Sequence, residues 1–432
     1  MDRATLDLDF VRRRFPALAG RQVFMDNAGG SLTLASVADR IHDYLLSSNV
    51  QLGASYAVSA QAGARYAEAR RRLGELVNAP SPEEVVLGPS TTLLLRLLAQ
   101  SFAPSLVPGD EVVVSRVDHE ANIGCWLALE AAGARIRFWE RDARTGELAL
   151  EGLEALLGPR TRLVAVGHVS NILGSIHPVR AIADRAHAVG ALVCIDGVAH
   201  APHRAVDVQA LGVDFYALSL YKVYGPHMAM LFARREPFLR LGVANHFFYG
   251  PADFPGKLEP GNASYELAWG SAGVLDYLED LGRQVLGAES TRNGSDAAPS
   301  ARASREAAWQ AIAAQEERLA ERLLAFLHER ADLTIVGRPE PDRALRVPTI
   351  SFVHARLPSS AIVEAVDPHG VGIRFGHFYA HRLISDLGLH ARDGVVRVSL
   401  VHYNRLEEVD RLIELLAPIL DGRSVARPET QP

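Results

Sequence analysis

The residues best suited to chemistry stand at the ends of apolar runs. Lys222 closes the segment Ser219-Leu-Tyr-Lys, which follows the apolar run 215–218, and Asp196 ends the run 192–196. An ammonium group in a dry site is costly unless it has a partner or a task. A lysine so placed can bind pyridoxal 5'-phosphate (PLP) covalently, while Asp196 keeps the ring nitrogen of the cofactor protonated. The alternative interpretation is an exposed lysine and a strand-end aspartate that share no task.

Three further segments carry side chains that suit the same cofactor. Ser90, Thr91 and Thr92 open a helical run, and the free amides of a helix start can bind a phosphate. His119 follows a strand-like run and is placed to stack on a flat ring, and Asn171 follows another and can donate to a ring hydroxyl. Each signal is weak alone, because Ser and Thr also cap helices and a single histidine is more often structural.

These residues must be positioned by strands that alternate with helices. Apolar runs buried on both faces and joined by amphipathic helices indicate a mostly parallel sheet. We therefore predict an α/β fold, whose large domain holds a seven-stranded sheet and is followed by a small α+β C-terminal domain. The seven strand-like runs are 84–87, 111–114, 135–139, 163–166, 192–196, 215–218 and 228–232.

Changes of pattern along the chain predict its domain boundaries. The small polar residues of 286–306 indicate a loop or flexible insert before a long helix. The predicted divisions are an N-terminal arm (1–20) that packs with the small domain, a large cofactor-binding domain (21–285), the insert (286–306), the small domain (307–422) and a tail (423–432).

Composition excludes several classes of protein. Of 432 residues, 48% are hydrophobic and 22% charged, which is typical of a globular chain. The net charge of −6 argues against a nucleic-acid binder. Two cysteines, Cys125 and Cys194, are too few for a disulfide scaffold or a four-thiolate metal site, so no metal is expected. With neither a signal-like start nor a membrane-length apolar run, we expect a cytoplasmic protein that binds no membrane.

Taken in order, the chemical segments resemble the class V aminotransferase superfamily, and more narrowly the group II cysteine desulfurases and selenocysteine lyases. The resemblance runs from about Phe15 to about Leu416. It implies a PLP-dependent transferase of fold type I that acts on an amino acid, as a homodimer with shared active sites. The segments that carry it are Asp26-Asn27-Ala28-Gly29, Ser90-Thr91-Thr92, Asp118–Asn122, His168–Asn171, Asp196-Gly197 and Ser219–Lys222 with Gly225-Pro226.

The resemblance also implies roles for individual residues. Lys222 would be the Schiff-base lysine, Asp196 the partner of the ring nitrogen, His119 the stacking ring and Asn171 the donor to the phenolic oxygen. Ser90, Thr91, Thr92 and Ser219 would hold the phosphate. Tyr221 stands where the family has a phosphate-binding histidine, and Asn262 stands where it has a threonine from the second subunit. Ala199 replaces a glutamine that contacts the ring oxygen.

The substrate residues implied by the family lie mainly in the small domain. Arg397 matches the arginine that binds the substrate α-carboxylate, for which a planar guanidinium is well suited. Arg374 is a second candidate. Asn27, Ala28 and His377 are predicted to form walls of the substrate pocket.

One departure from the family decides the predicted reaction. Group II desulfurases carry their sulfur-accepting cysteine in Arg-x-Gly-His-x-Cys, and here Tyr379 ends the corresponding segment, which begins at Arg374. A phenol cannot form a persulfide. The sequence therefore favours a C–S lyase that eliminates a β-substituent, with Lys222 moving the Cα proton and Tyr379 acting as a general acid. The alternatives are an aminotransferase or epimerase, a desulfurase that uses Cys125 or Cys194, and a non-catalytic PLP-fold binding protein.

Overall fold

The computed structural model describes residues 6–142, 145–293, 299–423 and 425. The strands, in chain order, are β1 (Val23–Phe24), β2 (Val85–Gly88), β3 (Glu111–Ser115), β4 (Arg135–Trp139), β5 (Thr161–Gly167), β6 (Leu192–Asp196), β7 (Phe215–Ser219), β8 (Ala229–Ala233), β9 (Leu333–Val336), β10 (Thr349–His354), β11 (Val371–Gly372), β12 (Arg374–Gly376) and β13 (Val395–Ser399).

Helices cover the strands and connect most of them. They are α1 (Leu8–Arg12), α2 (Ala35–Ser47), α3 (Ala57–Leu76), α4 (Thr91–Phe102), α5 (Gly124–Leu127), α6 (Leu150–Glu154), α7 (Val179–Ala188), α8 (Val208–Leu211), α9 (Arg235–Leu239), α10 (Tyr265–Ser271), α11 (Gly273–Asn293), α12 (Ala301–His328), α13 (Ser359–Val366), α14 (His381–Asp386) and α15 (Leu406–Leu420). None of the helices in the described residues is long and apolar enough to cross a membrane.

The large domain is built on one seven-stranded sheet in the order β2-β8-β7-β6-β5-β3-β4. Strands β3 to β7 pair in parallel, while β8 runs antiparallel to both β7 and β2. The valines of β3 and most residues of β5 to β8 are buried, because helices cover both faces of the sheet. The predicted fold class, with a mostly parallel seven-stranded sheet, is confirmed.

The small domain has a four-stranded antiparallel sheet in the order β12-β13-β10-β9. Its core lies between this sheet and helices α12, α13 and α15, where leucine, isoleucine and valine side chains pack together. The N-terminal arm contacts this domain, since the Arg12 guanidinium forms an ion pair with Glu408 at 2.8 Å and donates to the Tyr403 carbonyl at 2.9 Å. Strand β1 also pairs in parallel with β11.

The predicted loop at 286–306 is wrong over most of its length. Helix α11 continues to Asn293 and helix α12 already begins at Ala301. The segment contains alanine, glutamate and arginine, which favour helix. Ser300 caps α12 by accepting from the Ala303 amide at 3.2 Å, as serine commonly does at a helix start. Between the two helices, residues 294–298 of the predicted insert lie outside the described residues.

Candidate functional site

The site forms where parallel strands end side by side. Gly167 of β5 pairs with Asp196 of β6, and Asp196 pairs with Ala217 of β7, so the residues that follow each strand meet at one edge of the sheet. This is where open α/β sheets bind their ligands. A cavity lies there. Of the predicted cofactor residues, its lining contains Ser90, Thr91, Thr92, His119, Asn171, Asp196, Ser219, Tyr221 and Lys222.

Lys222 reaches this cavity from the turn after β7 and is 9% exposed. Burial lowers the pKa of its amine to about 8, and the Arg397 guanidinium acts in the same direction, while Asp196 opposes the shift. An amine with that pKa is partly uncharged near neutral pH. It can therefore act as a nucleophile toward an aldehyde and later as a base.

Asp196 lies at the end of β6, and the Val198 amide donates to its Oδ1 at 3.0 Å. Burial raises the pKa of this carboxyl, although the nearby Lys222 ammonium lowers it. A protonated ring nitrogen beside the carboxylate would stabilise its charged form. The buried carboxyl therefore fits the role of the pyridinium partner.

The phosphate end of the cavity combines hydroxyl groups with the start of a helix. Ser90 precedes α4, and its Oγ accepts from the Leu93 amide at 3.2 Å. The Thr91 and Ser219 hydroxyls lie 2.7 Å apart, so both face the same point. Helix α4 adds unpaired amides and the positive end of its dipole. Tyr221 lines the same cavity, with its ring stacked on His227 at 4.9 Å.

His119 presents a neutral ring to the cavity. Burial lowers its pKa to about 4, and the positive charges of Lys222 and Arg397 add to the shift. Its Nδ1 accepts from the Ala121 amide at 3.1 Å, so Nε2 carries the hydrogen. The ring of Tyr379 lies 5.1 Å from it, measured between centroids.

Asn171 connects the cavity to the small domain. Its Nδ2 donates to the Phe378 carbonyl at 2.9 Å, and its Oδ1 is buried without a hydrogen-bond partner among the described residues. A primary amide carries two hydrogens, so Nδ2 can still donate once more. This buried amide, the hydroxyl cradle and the amine–carboxyl pair together fit PLP.

Neither predicted substrate arginine lines the cavity, but the Arg397 guanidinium donates to the carbonyl of Asn171, which does. Arg397 is 2% exposed, and its Nη2 donates to Asp26 at 2.9 Å. Burial lowers the pKa of Arg397 to about 10, whereas Asp26 opposes this shift. Arg374 is 59% exposed and lies 3.7 Å from the other Asp26 oxygen. The Phe378 ring covers one face of the Arg397 guanidinium at 3.7 Å.

Tyr379 lies on the loop after β12, with its side chain 66% exposed. Its carbonyl accepts from the Glu120 amide at 2.8 Å, which fastens the loop beside His119. The backbone φ angles of Phe378 and Tyr379 are 47° and 60°. This left-handed conformation is uncommon for residues other than glycine. His377 is exposed, and its Nδ1 accepts from the Tyr379 amide at 3.1 Å.

Seven predicted site residues do not line the cavity of the single chain: Arg374, His377, Tyr379 and Arg397, described above, and Asn27, Ala28 and Asn262. The amide of Asn27 is buried and bonds to the Ser399 carbonyl and Tyr403 hydroxyl, so it is committed to holding the two domains together. The Ala28 amide donates to Ser399 Oγ at 2.8 Å. Asn262 is exposed and exchanges hydrogen bonds with Gln51.

Sequence reasoning missed Asp118, which lines the same cavity. Its Oδ2 accepts from Asn122 Nδ2 at 2.9 Å and from the Gly167 amide at 2.8 Å. Burial, with a smaller effect of Asp196, raises the pKa of its carboxyl to about 7. The signal was its position before His119 at the end of a strand. Ala199 lines the cavity, and the ring of His200 next to it stacks on that of His168 at 3.6 Å between centroids.

Both thiols are buried away from the cavity. Cys194 lies inside β6 with no exposed surface, and burial raises its pKa. Cys125 is 5% exposed and donates to the Ala121 carbonyl at 3.2 Å, and burial raises its pKa to about 12. In the described part of the chain, no group of three or more acidic, histidine or cysteine side chains is placed to bind a metal ion.

Comparisons with known proteins extend over nearly the whole chain. The family description Aminotransferase class-V matches residues 23–294 and 298–412. The aminotransferase-like protein FGM3 of Gibberella zeae is 43% identical, over 97% of this chain and 100% of that protein. The cysteine desulfurase-like protein ustD of Aspergillus flavus is 34% identical, over 94% and 88%. A solved apo cysteine desulfurase from Thermococcus onnurineus NA1 superposes with a TM-score of 0.83 at 26% identity, covering 96% and 98%.

Proposed function

The chain belongs to the class V aminotransferase family and is a PLP-dependent enzyme, and on that premise we propose that it is a C–S lyase. The substrate is a cysteine derivative that carries a substituent on sulfur. With one water, it yields the free thiol, pyruvate and ammonium. Bound PLP supplies the electron sink that makes the Cα proton acidic.

The position of the thiols is the observation that carries this proposal. A thiolate is the form of cysteine that accepts sulfur, and burial holds both Cys125 and Cys194 in the protonated form. Neither thiol lines the cavity. Tyr379 does not line the cavity either, but its ring lies 5.1 Å from that of the lining residue His119, on the loop where the resemblance places the sulfur-accepting cysteine of a desulfurase. Release of sulfur as a free thiol needs no protein thiol.

Different side chains of the protein perform the separate steps of such an elimination. The Arg397 guanidinium orients the substrate carboxylate. His119, a neutral imidazole because burial lowers its pKa to about 4, would hold the PLP ring by stacking. The Lys222 amine, with its lowered pKa, removes the Cα proton. The Tyr379 hydroxyl donates a proton to the leaving sulfur.

We also propose a cytoplasmic homodimer in which each subunit completes the partner's site. Asn262 lies outside its own chain's cavity, and the loop before it exposes Phe247 (98%) and Phe248 (67%). Large exposed rings of this kind are typical of interfaces. Sedimentation should give twice the chain mass of 46.9 kDa, and Phe248→Asp should shift the protein toward monomer. A wild-type monomer that binds PLP fully would contradict this.

Pyruvate release separates the proposed lyase from its alternatives. The purified enzyme is incubated with S-alkyl and S-aryl cysteines, and pyruvate and free thiol are assayed together in equal amounts. An aminotransferase would instead need a keto acid, an epimerase would invert the substrate without releasing thiol, and a desulfurase would form alanine from free cysteine. If no cysteine derivative yields pyruvate while amino groups are exchanged with a keto acid, the lyase proposal is wrong.

A further inference from the structure

Two arginines share a single carboxylate beside the cavity. Arg374 of β12 and Arg397 of β13 are direct partners in the antiparallel register. Both guanidinium groups turn to Asp26, at 3.7 Å and 2.9 Å. One carboxylate therefore faces two cations, which leaves one positive charge unbalanced.

The arginine pair keeps hydrogen-bonding capacity that Asp26 does not use. Arg397 donates from Nη1 to the Asn171 carbonyl at 3.2 Å and from Nη2 to the Asp26 carboxylate. Its Nε is buried without a hydrogen-bond partner among the described residues. Within the described ranges, Arg374 makes no closer ion pair than its 3.7 Å contact with Asp26. Other ionisable groups of the cavity lining include Lys222 and Asp196, which oppose each other, and Asp118, whose carboxyl has its pKa raised by burial to about 7.

We propose that Asp26 is the specificity-determining residue that limits the substrate to one negatively charged group. The inference rests on the proposed function only in taking an amino acid as substrate. A first carboxylate balances the extra charge of the arginine pair. A second anionic group then meets the Asp26 carboxylate and is repelled. The substrates that fit are amino acids with one carboxylate and a neutral or positively charged side chain.

The size of the effect follows from the charge that Asp26 contributes. Between two charges several ångströms apart in a partly solvated site, the interaction changes affinity by roughly tenfold, which corresponds to about 1.4 kcal/mol. Asp26 is a suitable position to test, because asparagine keeps the Oδ1 atom that accepts from Arg397 and removes only the charge. Arg374 is exposed, so its substitution leaves the core intact.

Equilibrium binding to the PLP-loaded enzyme tests the proposal without any turnover. Propionate and succinate are titrated separately, and the shift of the cofactor absorbance gives the two dissociation constants. Asp26→Asn should improve the affinity for succinate relative to propionate by about tenfold. Arg374→Gln should change this ratio in the opposite direction. Asp386→Asn, which removes a carboxylate paired with Arg116 at 2.8 Å, is the matched control and should leave the ratio unchanged.

The outcomes separate this inference from the proposed reaction. A ratio that stays within about twofold of the wild-type value in both Asp26→Asn and Arg374→Gln overturns the role of Asp26. A shifted ratio in an enzyme that releases no pyruvate from any cysteine derivative supports the role of Asp26 and refutes only the lyase. If Asp26→Asn does not fold, Arg374→Gln still decides, because it must weaken succinate more than propionate.

Discussion

Two buried lysines show how position, more than pKa, decides the role of a residue. Burial lowers the pKa of both Lys222 and Lys257 to about 8. Lys257 Nζ, however, donates to the carbonyls of Phe238 and Leu241, at 2.5 Å and 3.0 Å, and so caps the end of α9. Lys222 faces the cavity. Of these two amines, therefore, it is Lys222 that can bind an aldehyde.

Lys222→Ala should abolish covalent binding of PLP. The variant should lose the visible absorption of the bound cofactor, and borohydride reduction should no longer add the cofactor mass to the chain. Lys257→Met is the matched control, since it removes the other buried amine and should keep the cofactor. A cofactor adduct that persists in Lys222→Ala would contradict the assignment, and an enzyme without any adduct in the wild type would favour a non-catalytic binding protein.

Tyr379→Phe should slow elimination without weakening substrate binding. Loss of a general acid typically costs a factor of about 100 or more in rate when the leaving group is a poor one. The effect should shrink for S-aryl cysteines, because an aryl thiolate leaves without a proton. The measurement compares kcat and KM for an S-alkyl and an S-aryl substrate. Equal losses for both would show that the Tyr379 hydroxyl only supports the loop.

Residues at strand ends could be predicted from the sequence, but those held by distant contacts could not. Lys222, Asp196 and Asn171 follow apolar runs, and parallel strands bring such positions together. The commitment of Asn27 to Tyr403 depends on a partner far away in the sequence, which no local pattern shows. The sharing of Asp26 by two arginines was hidden for the same reason.

Among the secondary-structure elements, strands were predicted better than helix boundaries. All seven apolar runs of the large domain became strands of one sheet, because burial on both faces requires continuous hydrophobic sequence. The segment 286–306 was misjudged, because its polar residues resemble a loop. Its alanine, glutamate and arginine residues suit an exposed helix equally well.

Close packing of α11 against α12 leads to a test of this pair of helices. At Gly282 in α11, an added Cβ would overlap the carbonyl of Ser304 in α12. Gly282→Ala should therefore push the helices apart and destabilise the protein by a few kcal/mol, as overpacking does. A Cβ at Gly287 in the same helix meets no atom of the described residues within 4 Å. Gly287→Ala should therefore stabilise by about 0.5–1 kcal/mol, since alanine favours helix. Denaturant unfolding of both variants measures the difference, and equal stabilities would contradict the packing.

Across the molecule, one buried histidine connects three parts of the chain. His402 lies between β13 and α15 of the small domain. Its Nε2 lies 2.6 Å from the Tyr277 hydroxyl of α11, and its Nδ1 lies 3.2 Å from the Tyr224 hydroxyl, two residues after Lys222. Because the Tyr224 hydroxyl donates to the Pro202 carbonyl, Nδ1 donates to Tyr224 and Nε2 accepts from Tyr277. The cofactor turn and the small domain are thereby held by one neutral ring.

This arrangement predicts that acid weakens the fold. Burial lowers the pKa of His402 and of His168 to about 3, from 6.5, and the pKa of His119 to about 4. Below about pH 6.5 these histidines bind protons in the unfolded chain but not in the folded one. Stability is therefore complete above that pH and falls as the pH drops toward about 4 for His119 and about 3 for His402 and His168. Each histidine contributes at most about 1.4 kcal/mol per pH unit to this change in stability.

Urea unfolding at several pH values should show this slope of stability against pH. His402→Gln should reduce the number of protons taken up on unfolding by up to one, and the slope of stability against pH falls with it. His42→Gln, at an exposed position, should leave the slope unchanged. A slope equal to that of the wild type in His402→Gln would show that the ring is already protonated in the folded protein.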